Sequence, residues 1–149
     1  MERVKLIVRY RDGRMIKGFS HNFFPNKSHF HISPIENPCQ KPLEVLMSQL
    51  KAVFVVRDFC GDSGYHERKE YAAGEKPSGR QVEVTFQDGE VMVGSTLGFK
   101  LDQPCFCIFP ADPKSNNTRV FVILSSVKHL RYLETTPKVF ADRPMLRSS

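Results

Sequence analysis

A pattern of about fifty residues occurs twice in this chain, and any fold must accommodate both occurrences. From Val4 the sequence runs VKLIVRYRDGRMIKGFSHNFFPNKSHFHISP, and from Arg80 it runs RQVEVTFQDGEVMVGSTLGFKLDQPCFCIFP; the two align without a gap at an offset of 76 residues. Asp12 falls on Asp88, Gly13 on Gly89, Gly18 on Gly94, Phe30 on Phe106, Ile32 on Ile108 and Pro34 on Pro110. After a variable loop the match resumes with a slip of one residue, LKAVFVV (50–56) corresponding to VKHLRYL (127–133). Internal duplication is the direct reading.

Within each copy the local pattern is that of strands. Val4, Leu6, Val8 and Tyr10 alternate with Lys5, Arg9 and Arg11, and Val82, Val84 and Phe86 alternate with Glu83, Thr85 and Gln87, the period of a strand with one buried face. Asp12-Gly13 and Asp88-Gly89 then interrupt where a hairpin turn belongs, since glycine accepts the positive φ of a two-residue turn. Gly18 and Gly94 lie inside the returning strands RMIKG and EVMVG, where glycine marks a bulge or bend that lets a sheet curl. A third strand carries HFHI or CFCI and stops at proline, and two more follow a loop rich in turn residues. The expected architecture is all-β: two tandem five-stranded small barrels packed together, over residues 1–59 and 81–133. Residues 60–80 form a polar linker in which HERKEYAAG (66–74) has helical character, and 134–149 form a C-terminal tail.

The stretch VRYRDGRMIKGFSHNFF resembles the first motif of the Sm-like fold, an SH3-like small barrel in which an apolar strand, a DG turn, a bent glycine strand and an aromatic follow in that order. VTFQDGEVMVGSTLGF resembles it again, and the two together cover roughly a hundred residues. The pair as a whole also looks like an uncharacterised bacterial tandem domain associated with signalling proteins. The Sm-like resemblance implies an asparagine-bearing turn for RNA contact; Asn26, in the first copy only, is its nearest counterpart. Two such units in one chain can pair their own edges, so self-association into a ring is compatible with the pattern and not required by it.

Charge is uneven between the copies. Residues 1–59 hold ten Lys and Arg against five Asp and Glu, whereas residues 81–133 hold five of each. Lys5, Arg9, Arg11, Arg14 and Lys17 all fall on the first hairpin, and the strand period sets Lys5, Arg9 and Arg11 on one face. A basic stripe of this kind either contacts phosphate or an acidic protein, or protects an edge strand from aggregation. Phe23 and Phe24 are the only aromatics near enough to stack on bases, and they also suit a lid over a barrel end.

Catalytic patterns are absent from the sequence: no Ser, His and Asp arrangement, no Gly-rich phosphate loop and no HExxH is recognisable. A cyclic-dinucleotide receptor of the PilZ type needs an arginine motif ahead of its barrel, but the only RxxxR, Arg143 to Arg147, lies in the tail. The four cysteines, Cys39, Cys60, Cys105 and Cys107, show no CxxC framework, and in a reducing compartment structural disulfides are not expected. His29 and His31, with Cys105 and Cys107 at the same places in the second copy, are weak candidates for a Cys2His2 site, since residues two apart on a strand stand about 6–7 Å apart. The alternative, favoured here, is surface histidines and semi-buried cysteines acting as small apolar groups. No cofactor is expected. No apolar run approaches a membrane span and MERVKLIVRY lacks signal-peptide order, so a cytoplasmic protein is expected. The sequence thus reads as a non-catalytic binding or adaptor module in a bacterial cytosol with a protein partner. RNA or single-stranded nucleic-acid binding through Lys5, Arg9, Arg11, Arg14, Lys17, Phe23, Phe24 and Asn26 is the alternative.

Overall fold

The computed structural model describes residues 3–37, 40–60, 79–98, 102–111 and 115–133. The expected helix at 66–74, the rest of the linker beyond its ends, Cys39 and the tail lie outside the described residues. The described residues form ten strands: β1 (Val4–Tyr10), β2 (Met15–Ser20), β3 (His29–Pro34), β4 (Leu43–Leu46), β5 (Leu50–Val56), β6 (Arg80–Phe86), β7 (Val91–Thr96), β8 (Cys105–Pro110), β9 (Asn117–Ile123) and β10 (Val127–Tyr132). Helical structure among the described residues is confined to two single 3₁₀ turns, Met47–Gln49 and Leu124–Ser126. None is long and apolar enough to cross a membrane.

Local chemistry recurs between β1–β5 and β6–β10. Gly13 and Gly89 hold φ of 98° and 94° in the two hairpin turns, a region that costs a residue with Cβ about 1–2 kcal/mol. Beside them, Asp12 Oδ1 accepts from the Arg14 backbone N–H at 3.0 Å, and Asp88 Oδ1 accepts from that of Glu90 at 3.0 Å. Gly18 and Gly94 bring β2 and β7 so close to the next strand that an added Cβ would stand 2.3 Å from the Ser33 carbonyl oxygen and 2.4 Å from that of Phe109. Past each bend, a hydroxyl bridges to the following strand: Ser20 Oγ donates to the His31 carbonyl at 2.8 Å, and Thr96 Oγ1 to that of Cys107 at 2.9 Å.

All pairings are antiparallel and run in the order β10-β6-β7-β8-β9-β5-β1-β2-β3-β4. The all-β expectation holds, and the two halves pair their strands into one open ten-stranded sheet. Its seam is β5 against β9, with Ala52 opposite Val122, Val53 opposite Phe121 and Phe54 opposite Val120. Strand alternation then sends successive seam residues to opposite sides. Val53, Phe121 and Ile123 enter a core with Leu6, Val8, Phe30, Ile32 and Cys105, while Ala52, Val120 and Val122 enter a second with Val82, Val84, Phe86 and Phe106. Each core therefore contains residues from both halves of the chain. Full burial of a Val, Leu, Ile or Phe side chain is worth about 1.5–3 kcal/mol, so the seam is held by apolar contacts on both faces as well as by its hydrogen bonds.

Candidate functional site

Three places draw attention: the basic hairpin, the polar end of the seam, and a groove beside it. Register sets Lys5 opposite Phe19, Ile7 opposite Lys17 and Arg9 opposite Met15, so Lys5, Arg9 and Lys17 share one face. Residues 57–60 return across that face. Lys5 Nζ donates to the Arg57 carbonyl at 3.2 Å and Lys17 Nζ to that of Phe59 at 3.0 Å, with the Phe59 ring edge-on to Phe19 at 5.2 Å. Carbonyls hold these two ammonium groups without neutralising them. Arg9 stands 3.8 Å from Glu90, and Arg14 bonds Asp12 at 2.8 Å while lying over the Tyr10 ring. Arg11 donates to the Ser48 carbonyl. Phe23 is drawn away from this face and packs edge-on against Phe30 and Phe121, each with ring centroids 4.9 Å from its own. Phe24 and Asn26 remain exposed on the loop after β2.

Sequence reasoning overlooked Lys51, a lysine inside the apolar run of β5. It is 5% exposed, and burying an ammonium requires a counter-charge. The second hairpin supplies two. Lys51 Nζ lies 2.8 Å from Asp88 Oδ2 and bonds Glu90, with the Phe86 ring 4.9 Å beneath. The Lys51 bond, followed by the Glu90 backbone N–H, holds the Asp88 carboxyl below its ordinary range. Asp88 therefore shapes its turn and also bridges the halves. The contrast between RDGR in the first hairpin and QDGE in the second was the available signal.

The groove lies on the sheet face of the first core, where that face runs past its packed interior. Val4 and Val55 of the first half meet Cys107, Phe109, Arg119 and Phe121 of the second; Phe23 with Pro25 and Thr96 with Leu97 and Gly98 also line it. Its volume is 380 Å³, within the usual range for small-molecule sites of about 300–1,000 Å³. An adjoining recess of 480 Å³ shares Pro25, Leu97, Gly98, Cys107 and Phe121 and continues to Gln103 and Cys105. Leu97 is 79% exposed at the rim. The Thr96 hydroxyl is engaged by the backbone, donating to Cys107 and accepting from the Gly98 N–H at 3.2 Å. Arg119 lies 5.6 Å over the Phe121 ring, and no carboxylate among the described residues pairs with it.

The cysteines and histidines of the two third strands occupy unlike surroundings. Burial, with a smaller contribution from Cys107, pushes the Cys105 thiol up to about 12, and its Sγ donates to the Pro25 carbonyl at 3.3 Å. Burial also raises the Cys107 thiol, against the opposing charge of Arg119. Both thiols stay protonated near neutrality and pack as small apolar groups. The His29 ring is exposed and 6.1 Å from that of His31, whose Nδ1 meets the Asn22 side-chain amide at 3.0 Å. No group of three or more metal-capable side chains occurs among the described residues.

Fold and groove together define an all-β protein whose two five-stranded halves share a sheet and a concave apolar surface at their junction. The chain belongs to a family of unknown function (DUF6982), which matches residues 2–134. No curated protein and no solved structure matches it.

Proposed function

We propose that this protein is a non-catalytic binding module of the bacterial cytoplasm, built from two copies of one Sm-like small-barrel unit, and that it holds its ligand in the groove beside the seam. The observation that carries the reading is the groove itself: a concave, largely apolar surface bounded by both halves, with an exposed leucine at its rim and a guanidinium that no carboxylate among the described residues pairs with. The duplication is supported by strands, turns, bends and hydroxyl bridges that recur at separations of 76 or 77 residues. Protonated thiols and an engaged Thr96 hydroxyl offer no nucleophile in the groove, which favours binding over catalysis. A fragment library screened by amide chemical shifts tests the site without presupposing ligand class. Hits should cluster on Val55, Leu97, Cys107 and Phe121; hits confined to other surfaces refute the assignment.

RNA or single-stranded nucleic-acid binding is the second reading, favoured by Lys5 and Lys17, whose ammonium groups bond to backbone carbonyls rather than to carboxylates among the described residues, and by the exposed Phe24. Glu90 beside Arg9 and Asp12 on Arg14 weaken it. Filter binding across a salt series decides: a steep loss of affinity with salt supports phosphate contacts, and no retention at low salt ends the reading.

A further inference from the structure

The groove offers an incoming molecule a broad apolar surface and very few polar groups. Thr96 already serves its own backbone, and the Cys107 thiol is held protonated. Arg119 differs from both. It projects from β9 at the groove mouth and has a ring contact with Phe121 but no carboxylate partner among the described residues. A guanidinium beside an apolar surface recognises a planar anion through paired N–H donors. One cation matches one negative charge. A phosphate monoester carries nearly two at neutral pH, and Arg119 is the only cation lining the groove among the described residues.

We propose that the groove takes a small amphiphilic carboxylate, its apolar body lying over Val55, Phe121 and Phe109 and its carboxylate on Arg119. This rests on the reading of the groove as the binding site and adds the class of ligand. The recess shared through Leu97 and Cys107 extends the apolar track toward Cys105, giving room for a chain or an aryl tail. Arg119 is exposed, so replacing its head group leaves the packed seam intact.

The test uses the full chain with decanoate and, as its uncharged counterpart, decanol, followed by calorimetry and by amide shifts. Decanoate should bind once per chain and move the Val55, Leu97 and Phe121 amides. Decanol should bind at least about tenfold more weakly. Arg119→Gln should weaken decanoate by about the same factor and leave decanol unchanged, with Arg119→Lys between the two; circular dichroism verifies the fold of each variant. Equal binding of both probes, unaltered by Arg119→Gln, overturns the carboxylate assignment and leaves the groove as a site for neutral apolar ligands. Decanoate shifts located on the basic hairpin instead overturn the assignment as general anion attraction. If neither probe moves a groove amide and the fragment screen is also silent there, the binding site itself is refuted.

Discussion

Removing the counter-charges of Lys51 should destabilise the protein more than removing Lys51. The Lys51 side chain is 6% exposed and its ammonium lies between Asp88 and Glu90, whose side chains are 55% and 48% exposed. Two unit charges about 4 Å apart attract by about 4 kcal/mol at an effective dielectric of about 20, and desolvation of the ammonium offsets much of that. Stranding a buried charge by deleting its partner costs about 3–5 kcal/mol. Solvent reaches both carboxylates, so the paired substitution Asp88→Asn with Glu90→Gln should cost about 2–3 kcal/mol. Asparagine still accepts the bond that shapes the turn, which keeps the hairpin out of the difference. With a urea slope of about 1–3 kcal/mol/M the midpoint should fall by about 1 M. Lys51→Met alone should lie within about 1 kcal/mol of the parent, because an apolar chain of similar length replaces the ion over Phe86; added to the paired substitution, it should recover most of the loss. Urea titration followed by far-ultraviolet circular dichroism measures all four proteins. A paired substitution costing under about 0.5 kcal/mol, or a triple variant less stable than the double, would refute the reasoning.

Gly94→Ala should cost about 1–3 kcal/mol in the same assay, since its Cβ would stand 2.4 Å from both the Phe109 carbonyl oxygen and Ile108 Cγ2; a neutral result would mean that β7 and β8 separate freely. Asp12, Glu83 and Asp88 all have lowered carboxyl pKa values. Their contribution to stability is present above the ordinary carboxylate range and lost as pH falls through the lowered values, so urea midpoints should drop below about pH 4, and less steeply in Asp88→Asn. Cys60 is exposed whereas Cys105 is buried with a thiol near 12. An aromatic disulfide reagent at neutral pH should therefore label Cys60 in the native protein and Cys105 only after unfolding, as peptide mapping would show.

Much of the fold was legible because its determinants are local. The alternation in VKLIVRY and RQVEVTF, the two DG turns and the two bending glycines each act within a few residues, and all lie where the pattern sets them. The seam was not legible, because pairing Val53 with Phe121 depends on a register between strands far apart in sequence. AVFVV (52–56) and VFVIL (120–124) do carry a trace of it: both are continuously apolar rather than alternating, as strands buried on two faces are. Strand alternation placed Lys5 and Arg9 on one face, but it is register that adds Lys17 to them, while Arg11 lies beyond β1 and donates to the Ser48 carbonyl. The role of Arg9 was not legible, since Glu90 reaches it only through the seam. Arg119 and Leu97 gave no local sign at all; the groove exists only where two halves of the chain meet.

The ends of the sheet bear on how the molecule behaves in a crowd. An open sheet that begins on β10 and ends on β4 has two unlike edges, and a pairing made once within a chain can be repeated head to tail between chains without closing. The terminal strands are poorly suited to repeating it. Where β5 presents Ala52 and Phe54, β10 presents His129 and Arg131; where β9 presents Phe121 and Ile123, β4 presents Glu44 and Leu46, and Pro42 stands just before a strand of only four residues. Charge, brevity and a missing amide donor each discourage strand addition. The inner strands β5 and β9 thus meet through apolar residues while the outer strands are charged, short or preceded by proline, a difference that disfavours adding a further strand at either end.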